Sequence, residues 1–354
     1  MDLIPEIKHK ILAIDIGQGT QDILLYDPGK NIENCISLIL PSPTALYAKT
    51  IGSATEDLYI EGSTIGGGML SSAIKQHIKK GYAVYMEPEA AASIRDNLDR
   101  VRRLGIKIGR PPETFTGQKL CLTEINLPLL REFLGNFSEP MDVTIIAIAV
   151  QDHGASPAGN SDRLFRFEML ARQLIEHNEP GHCAYRAEEV PPFFTRMTSL
   201  VQAIRKDFSG NVLVMDTALC AVLGCMEDHP APYLVVNAGN DHTLCAIVEN
   251  NKITALLEHH TAMLSPEKLR DLIIRFATGE VTHQEIFEDW GHGALYINKI
   301  STSSIEHIIA TGPLREKIRL TGLHVTFAAP GGNMMLTGPI GLIKACTVKD
   351  FPDK

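Results

Sequence analysis

Two short segments hold residue types that suit phosphate and cation chemistry. The first, Asp15-Ile16-Gly17-Gln18-Gly19-Thr20-Gln21-Asp22, lies between the apolar stretches Ile11-Leu12-Ala13-Ile14 and Ile23-Leu24-Leu25-Tyr26. Strand, glycine turn and strand predict a β-hairpin. Glycines take positive φ readily and let backbone N–H groups converge on an anion. Gly17, Gln18, Gly19 and Gln21 are therefore candidate phosphate contacts, and Thr20 adds a hydroxyl donor. Asp15 ends the first strand, where a carboxylate would hold hydrated Mg²⁺ beside phosphates. A Walker-type loop would carry Gly-Lys-Ser/Thr and run into a helix; this turn lacks the lysine and runs into a strand. The second segment, Asn237-Ala238-Gly239-Asn240-Asp241-His242-Thr243, repeats the design. It adds Gly239, Asn240, His242 and Thr243 as candidates. Two such hairpins would close on a polyphosphate from opposite sides; the plainer reading of each is a glycine-rich surface turn.

Other clusters offer other chemistry. Asp216 follows the short strand Asn211–Met215 and opens an alanine-rich helix ending at Gly224. It reads as a general base or as the helix N-cap. Gly66-Gly67-Gly68, a helix over 69–80, a strand over 82–86 and Glu87 have the order of a dinucleotide-binding βαβ unit. The glycine spacing departs from G-x-G-x-x-G, so a structural α/β insert is the competing reading. Glu258-His259-His260 and Gln151-Asp152-His153 follow strands, but no ligand spacing repeats, so a metal site is not the expectation there. Arg163 and Arg166 offer anion contacts or ordinary surface charge.

The elements that position these residues alternate between strand and helix, which predicts an α/β fold. Strands are expected at 35–40, 57–60, 106–108, 143–150, 233–237, 243–248, 308–310 and 324–328. Helices are expected at 88–104 and 334–345, with starts at Ser265-Pro266-Glu267 and at Thr282, where Glu285 completes a capping box. Residues 109–141 show no clear periodicity. The chain has 354 residues, a net charge of −9 and 33 basic residues, which argues against a nucleic-acid scaffold. The longest apolar run, 143–150, is short of the roughly 20 residues a bilayer requires. No signal-peptide pattern opens the chain, and the seven scattered cysteines suit a reducing cytoplasm.

The chain resembles the actin, Hsp70 and sugar-kinase superfamily. Ile11–Asp27 is similar to its first phosphate hairpin, in a form near that of hydantoinase-type members, and Tyr233–Val248 to the second. Asp216–Gly224 resembles the first connecting helix, which opens with a catalytic aspartate in carbohydrate kinases. Ile308–Leu314 resembles the adenosine motif, with Thr311 and Gly312 at the nucleotide, and 330–345 the second connecting helix. The second hairpin has Asn237 where many members carry Asp. The resemblance implies a two-lobed ribonuclease H-like (actin-like ATPase) fold with an inserted βαβ unit, lobes at 1–215 and 216–354, and a last helix returning to the hinge. It also implies ATP and Mg²⁺ as cofactors and an ATP-dependent phosphotransferase or ATPase acting on a small molecule. The alternatives are a nucleotide-dependent regulatory protein and an NAD(P)-binding protein. The chain also resembles a prokaryotic family labelled pyruvate formate-lyase-activating-enzyme-like. That label implies a radical iron–sulfur centre with a Cys-x₃-Cys-x₂-Cys motif, but the closest cysteines here are Cys220 and Cys225.

Overall fold

The computed structural model describes residues 7–157, 159–226, 232–298, 305 and 307–351. Strands β1 (Ile11–Ile16) and β2 (Thr20–Tyr26) form the first hairpin, and β3 (Ile36–Pro41) extends it antiparallel. Ile11 and Ala13 pack into one core, while Leu12, Ile14 and Ile16 pack into another. The strand is apolar from Ile11 to Ile14 because both of its faces are covered, and Asp15 breaks that run at the hairpin end.

The chain then leaves this sheet. Helix α1 (Pro43–Ser53), capped by Ser42, leads to β4 (Leu58–Gly62), α2 (Gly68–Lys79), β5 (Val84–Met86), α3 (Pro88–Ala92), α4 (Leu98–Arg102), β6 (Lys107–Ile108) and β7 (Gln118–Leu122). These strands make a parallel sheet of order β6-β5-β4-β7 around a core of its own that includes Ile60, Leu70, Val84 and Leu122. Helix α5 (Leu127–Gly135) precedes β8 (Ile145–Val150), which rejoins the first sheet parallel to β1 and is buried throughout. Helix α6 (Asp162–Glu176), β9 (Tyr185–Arg186), α7 (Thr195–Arg205) and β10 (Asn211–Met215) complete the order β3-β2-β1-β8-β10-β9.

After α8 (Thr217–Cys225) the same plan recurs. β11 (Tyr233–Ala238), β12 (His242–Glu249) and β13 (Lys252–His260) form a meander. They are followed by α9 (Pro266–Ala277), α10 (His283–Glu288), β14 (Gly293–Tyr296), β15 (Ile308–Thr311), α11 (Glu316–Arg319) and β16 (Thr326–Phe327). β15 lies parallel to β11, and β16 parallel to β15, giving the order β14-β13-β12-β11-β15-β16. In each sheet an antiparallel meander is extended by two strands parallel to its first strand. The fold is thus two ribonuclease H-like lobes with an α/β insert in the first. Helix α12 (Thr337–Lys349) packs on α8 and reaches β1. A Cβ at Gly224 would collide with the Thr337 carbonyl, and one at Gly341 with the Cys220 carbonyl. The small residues of α8 and α12 therefore let two backbones touch.

Several expectations change. The helix expected over 88–104 is two short ones, because Asn97 turns back to accept from the amides of Asp99 and Arg100 and starts α4 afresh. Residues 109–141 contain β7 and α5, the latter capped by Asn126 with a proline in its first turn. Residues 330–336 form two tight 3₁₀ turns, so the last helix starts at Thr337. No helix among the described residues is long and apolar enough to cross a membrane.

Candidate functional site

The two hairpins are built to one plan. Gly17 N donates to Thr20 O at 2.9 Å, and Gly239 N donates to His242 O at 2.9 Å. Asp15 pairs with Asp22 across β1 and β2, as Asn237 pairs with Leu244 across β11 and β12. Thr20 thus occupies the place of His242, and Gln21 that of Thr243. The turns face each other: a Cβ on Gly19 would lie 2.9 Å from Asn240 Nδ2. Gly17, Gly19 and Gly239 do not take positive φ, contrary to expectation. Gly19 serves instead to let the two turns approach.

Asp15 receives a 2.6 Å hydrogen bond from Thr217 Oγ1, and a Cβ on Gly338 at the start of α12 would collide with its carboxylate. Desolvation, and then the charge of Asp22, push Asp15 up to about 8 against the Thr217 bond. Desolvation likewise pushes Asp22 up to about 7, and its Oδ1 is buried without a hydrogen-bond partner. Facing carboxylates pushed up by burial have the donor chemistry of a hard divalent-ion site.

The other expected residues divide. Gln18 lies under the insert: its carbonyl accepts from Ser42 Oγ at 2.7 Å, and a Cβ on Gly68 would be 2.6 Å from its Nε2. Gln21 donates to the Pro41 carbonyl on the edge strand. Asn240 is exposed at the second turn. Thr243 is buried, 3.0 Å from Thr261 Oγ1, which in turn donates to Gly239 O. Thr311 is fully buried, 3.2 Å from the Thr337 hydroxyl. Gly312, at φ +91°, seats against Ala238 and Asn237, where a side chain would clash. Thr243 therefore braces the second hairpin, and the Thr311 hydroxyl faces the start of α12.

Asp216 caps α8 by accepting from Ala218 N at 3.0 Å. It also accepts from Arg166 Nη1 at 2.7 Å and Nη2 at 3.3 Å. Arg166 is 1% exposed, so it is not the surface charge or free anion contact expected from the sequence. It also donates to Glu258 from Nε and Nη2, and Glu258 accepts from His292 Nδ1 at 2.8 Å. Burial alone would raise Glu258, but Arg166 and His292 hold it well below the usual carboxylate range. Both Asp216 oxygens are engaged, so in this conformation the carboxylate is not free to accept a substrate proton. Arg163 stacks on Phe287 and Trp290.

A family model described as "Putative pyruvate format-lyase activating enzyme (DUF1786)" matches residues 65–317, more than half of the chain. The chain belongs to this family. A search of curated proteins found no match. Solved structures with a similar course of the chain include a polyphosphate/ATP-glucomannokinase from Arthrobacter sp. strain KM, at 12% identity and TM-score 0.39, covering 96% of this chain and 98% of that one. The PilM-PilN type IV pilus biogenesis complex aligns at 10% and 0.39, covering 96% and 98%. The activator of 2-hydroxyisocaproyl-CoA dehydratase from Clostridium difficile aligns at 8% and 0.35, covering 98% and 99%.

The radical chemistry in the DUF1786 description needs a three-thiolate cluster, and the thiols of this DUF1786 chain do not fit one. Cys220 and Cys225 are buried along α8, and Cys220 donates to the Gly338 carbonyl. Burial raises Cys220 well above the ordinary thiol range and takes Cys183 and Cys245 up to about 12, the reverse of what a ligating thiolate needs.

Three features escaped the sequence reading: Asp22, the Arg166–Glu258 network, and the pair Arg196–Glu124. Arg196 grips Glu124 at 2.9 Å through both Nε and Nη2 and donates to Gln151 O, while Gly66 N donates to Glu124 Oε2. The glycine run of the insert is thereby packed against protein. A Cβ at Gly67 would strike the Ser93 carbonyl, and one at Gly66 would lie 2.8 Å from Thr44 Oγ1. Only a sign-matched search for distant acidic partners could have marked Arg166 and Arg196 as ion-paired.

Proposed function

We propose that the protein binds Mg²⁺-ATP between its two hairpins and acts as an ATP-dependent phosphotransferase or ATPase on a small molecule. The observation that carries this reading is the facing pair of congruent turns beside the acids Asp15 and Asp22, both pushed up by burial. Backbone amides of 17–20 and 239–242 would hold phosphates, with Thr20 as a hydroxyl donor. Asp15, supported by Asp22, would hold hydrated Mg²⁺, which when bound supplies charge neutralisation to the phosphates. Gly312 would lie on the adenosine side. Because the turns touch, the lobes must part to admit a nucleotide. Calorimetry should detect ATP binding that requires Mg²⁺ and is weakened by Asp15→Asn; saturable NAD(P) binding without ATP binding would overturn the reading.

A second reading is a nucleotide-dependent regulatory protein, favoured by the engagement of Asp216 with Arg166. A phosphotransferase using Asp216 as base must first release that arginine. Phosphate release from Mg²⁺-ATP, with and without candidate acceptors, separates the two. An NAD(P) site on the insert is disfavoured, because Thr44, Ser93, Arg196 and Gln18 fill the space around its glycines.

A further inference from the structure

Four imidazoles gather beside the second turn. His242 and His260 are paired across β12 and β13, with ring centres 4.7 Å apart. His292, just before β14, lies 4.7 Å from His242 and 5.1 Å from His260. His153, from the loop after β8 in the other lobe, lies 6.0 Å from His242 and 5.7 Å from His292. A ring nitrogen from each of His153, His242 and His292 lies within 4.8 Å of the other two. Imidazoles sharing a tetrahedral ion at about 2.1 Å have ring centres about 5 Å apart, so small ring rotations complete the set.

Two further observations point to a ligand. The Nε2 atoms of His242 and His292 are buried without any hydrogen-bond partner, which for polar atoms is costly unless something occupies the space between them. The ring of His292 is also held in place. Its Nδ1 lies 2.8 Å from Glu258 Oε2, an oxygen acceptor that Arg166 also grips, and that contact leaves Nε2 as the ring nitrogen without a partner. That carboxylate–histidine arrangement is how ligating imidazoles are oriented. His242 Nδ1 lies 3.0 Å from the Gln151 amide, and a half-turn of that amide presents its oxygen as acceptor.

We infer that His153, His242 and His292 form a three-nitrogen site for a divalent transition-metal ion of the zinc class, joining the two lobes beside the second hairpin. Imidazole donors without thiolates suit zinc and its neighbours over Mg²⁺. Three protein ligands leave a fourth position for water or another oxygen donor. Glu258 is a positioning residue, acting through His292. The inference does not depend on the nucleotide reading.

The test is titration of the chelator-treated full-length protein with Zn²⁺ alone. One equivalent should bind and raise the melting temperature, while Mg²⁺ leaves that site empty. His153→Ala and His242→Ala should each weaken zinc binding by more than about tenfold, while the exposed control His324→Ala should not. Glu258→Gln should weaken it less. Should a variant melt early without metal, X-ray absorption of the zinc-loaded wild type decides, with three imidazole nitrogens in support and sulfur ligation against. No saturable zinc binding, or unchanged affinity in both histidine variants, overturns the inference.

Discussion

The two hairpins share strand register and turn hydrogen bond, yet carry different donors. The first sets Asp15 against Asp22, two oxygen acids that suit a hard, hydrated cation. The second has an amide and a leucine at those places, and its imidazole His242 stands where the first has Thr20. Backbone geometry is thus duplicated while ligand chemistry is not. Each hairpin also has its own ion-paired arginine: half-buried Arg196 with Glu124 on the insert side of the first, buried Arg166 with Asp216 and Glu258 behind the second. The lesson is that a duplicated topology fixes where side chains converge, while the residue types decide what converges there.

The largest effect expected from breaking this arrangement is at Arg166. Arg166→Met leaves Asp216 and Glu258 buried without their counter-charge and should cost about 3–5 kcal/mol, measured by denaturant unfolding. A cost below about 1 kcal/mol would mean that the network is not structurally required. Next is the acid pair of the first hairpin. An unfolded aspartate titrates near about 3.9, whereas Asp15 and Asp22 stand at about 8 and about 7. The folded state keeps protons that the unfolded chain has released. The stability so contributed is complete below about pH 4, is lost progressively as pH rises, and is gone once pH has passed through about 7 to 8. Without Mg²⁺, the wild-type melting temperature should therefore fall more steeply between about pH 4.5 and 8 than that of Asp22→Asn, and saturating Mg²⁺ should flatten the wild-type profile. Equal slopes would remove the contrast between an acidic and a non-acidic hairpin.

Much of the frame was legible because its signals are local. Alternation around a glycine turn marked β1 and β2, and hydroxyl caps marked the starts at Ser265 and Thr282. Asp216 was legible as a cap and as a charge, but not as the partner of Arg166, which lies 50 residues away in the chain, while Glu258 lies 92 from that same arginine. Helix α6 buries Phe167, Leu170 and Leu174 at helical spacing, and Arg166 beside them reads as solvated until its partners are in place. The histidines show no ligand spacing because they meet through strand register and lobe contact. The turn glycines were read for conformational freedom, but at Gly19 the constraint is the neighbouring turn.

A smaller effect separates the two turns as ligand contacts. Thr20→Val keeps shape and strand preference but removes a hydroxyl beside the proposed phosphates. The loss should be about 1.5–3 kcal/mol of ATP affinity, roughly tenfold to over a hundredfold, with little change in melting. Unchanged affinity by calorimetry would make the first turn structural.

The smallest effect is at Thr243, which looks like the counterpart of Thr20 in sequence but is not its counterpart in register. Thr243 is 1% exposed. Its hydroxyl faces Thr261 Oγ1, whose own proton goes to the Gly239 carbonyl, so Thr243 is the donor of that pair. Valine would delete one buried donor and leave an oxygen lone pair on Thr261 without its partner, while Thr261 still holds the turn. That should cost about 1 kcal/mol of stability and leave ATP affinity at the wild-type value. Denaturant unfolding and calorimetry on Thr20→Val and Thr243→Val together test the assignment. If Thr243→Val loses as much ATP affinity as Thr20→Val, both threonines contact phosphate directly, and the division between a ligand-facing and a bracing hydroxyl fails.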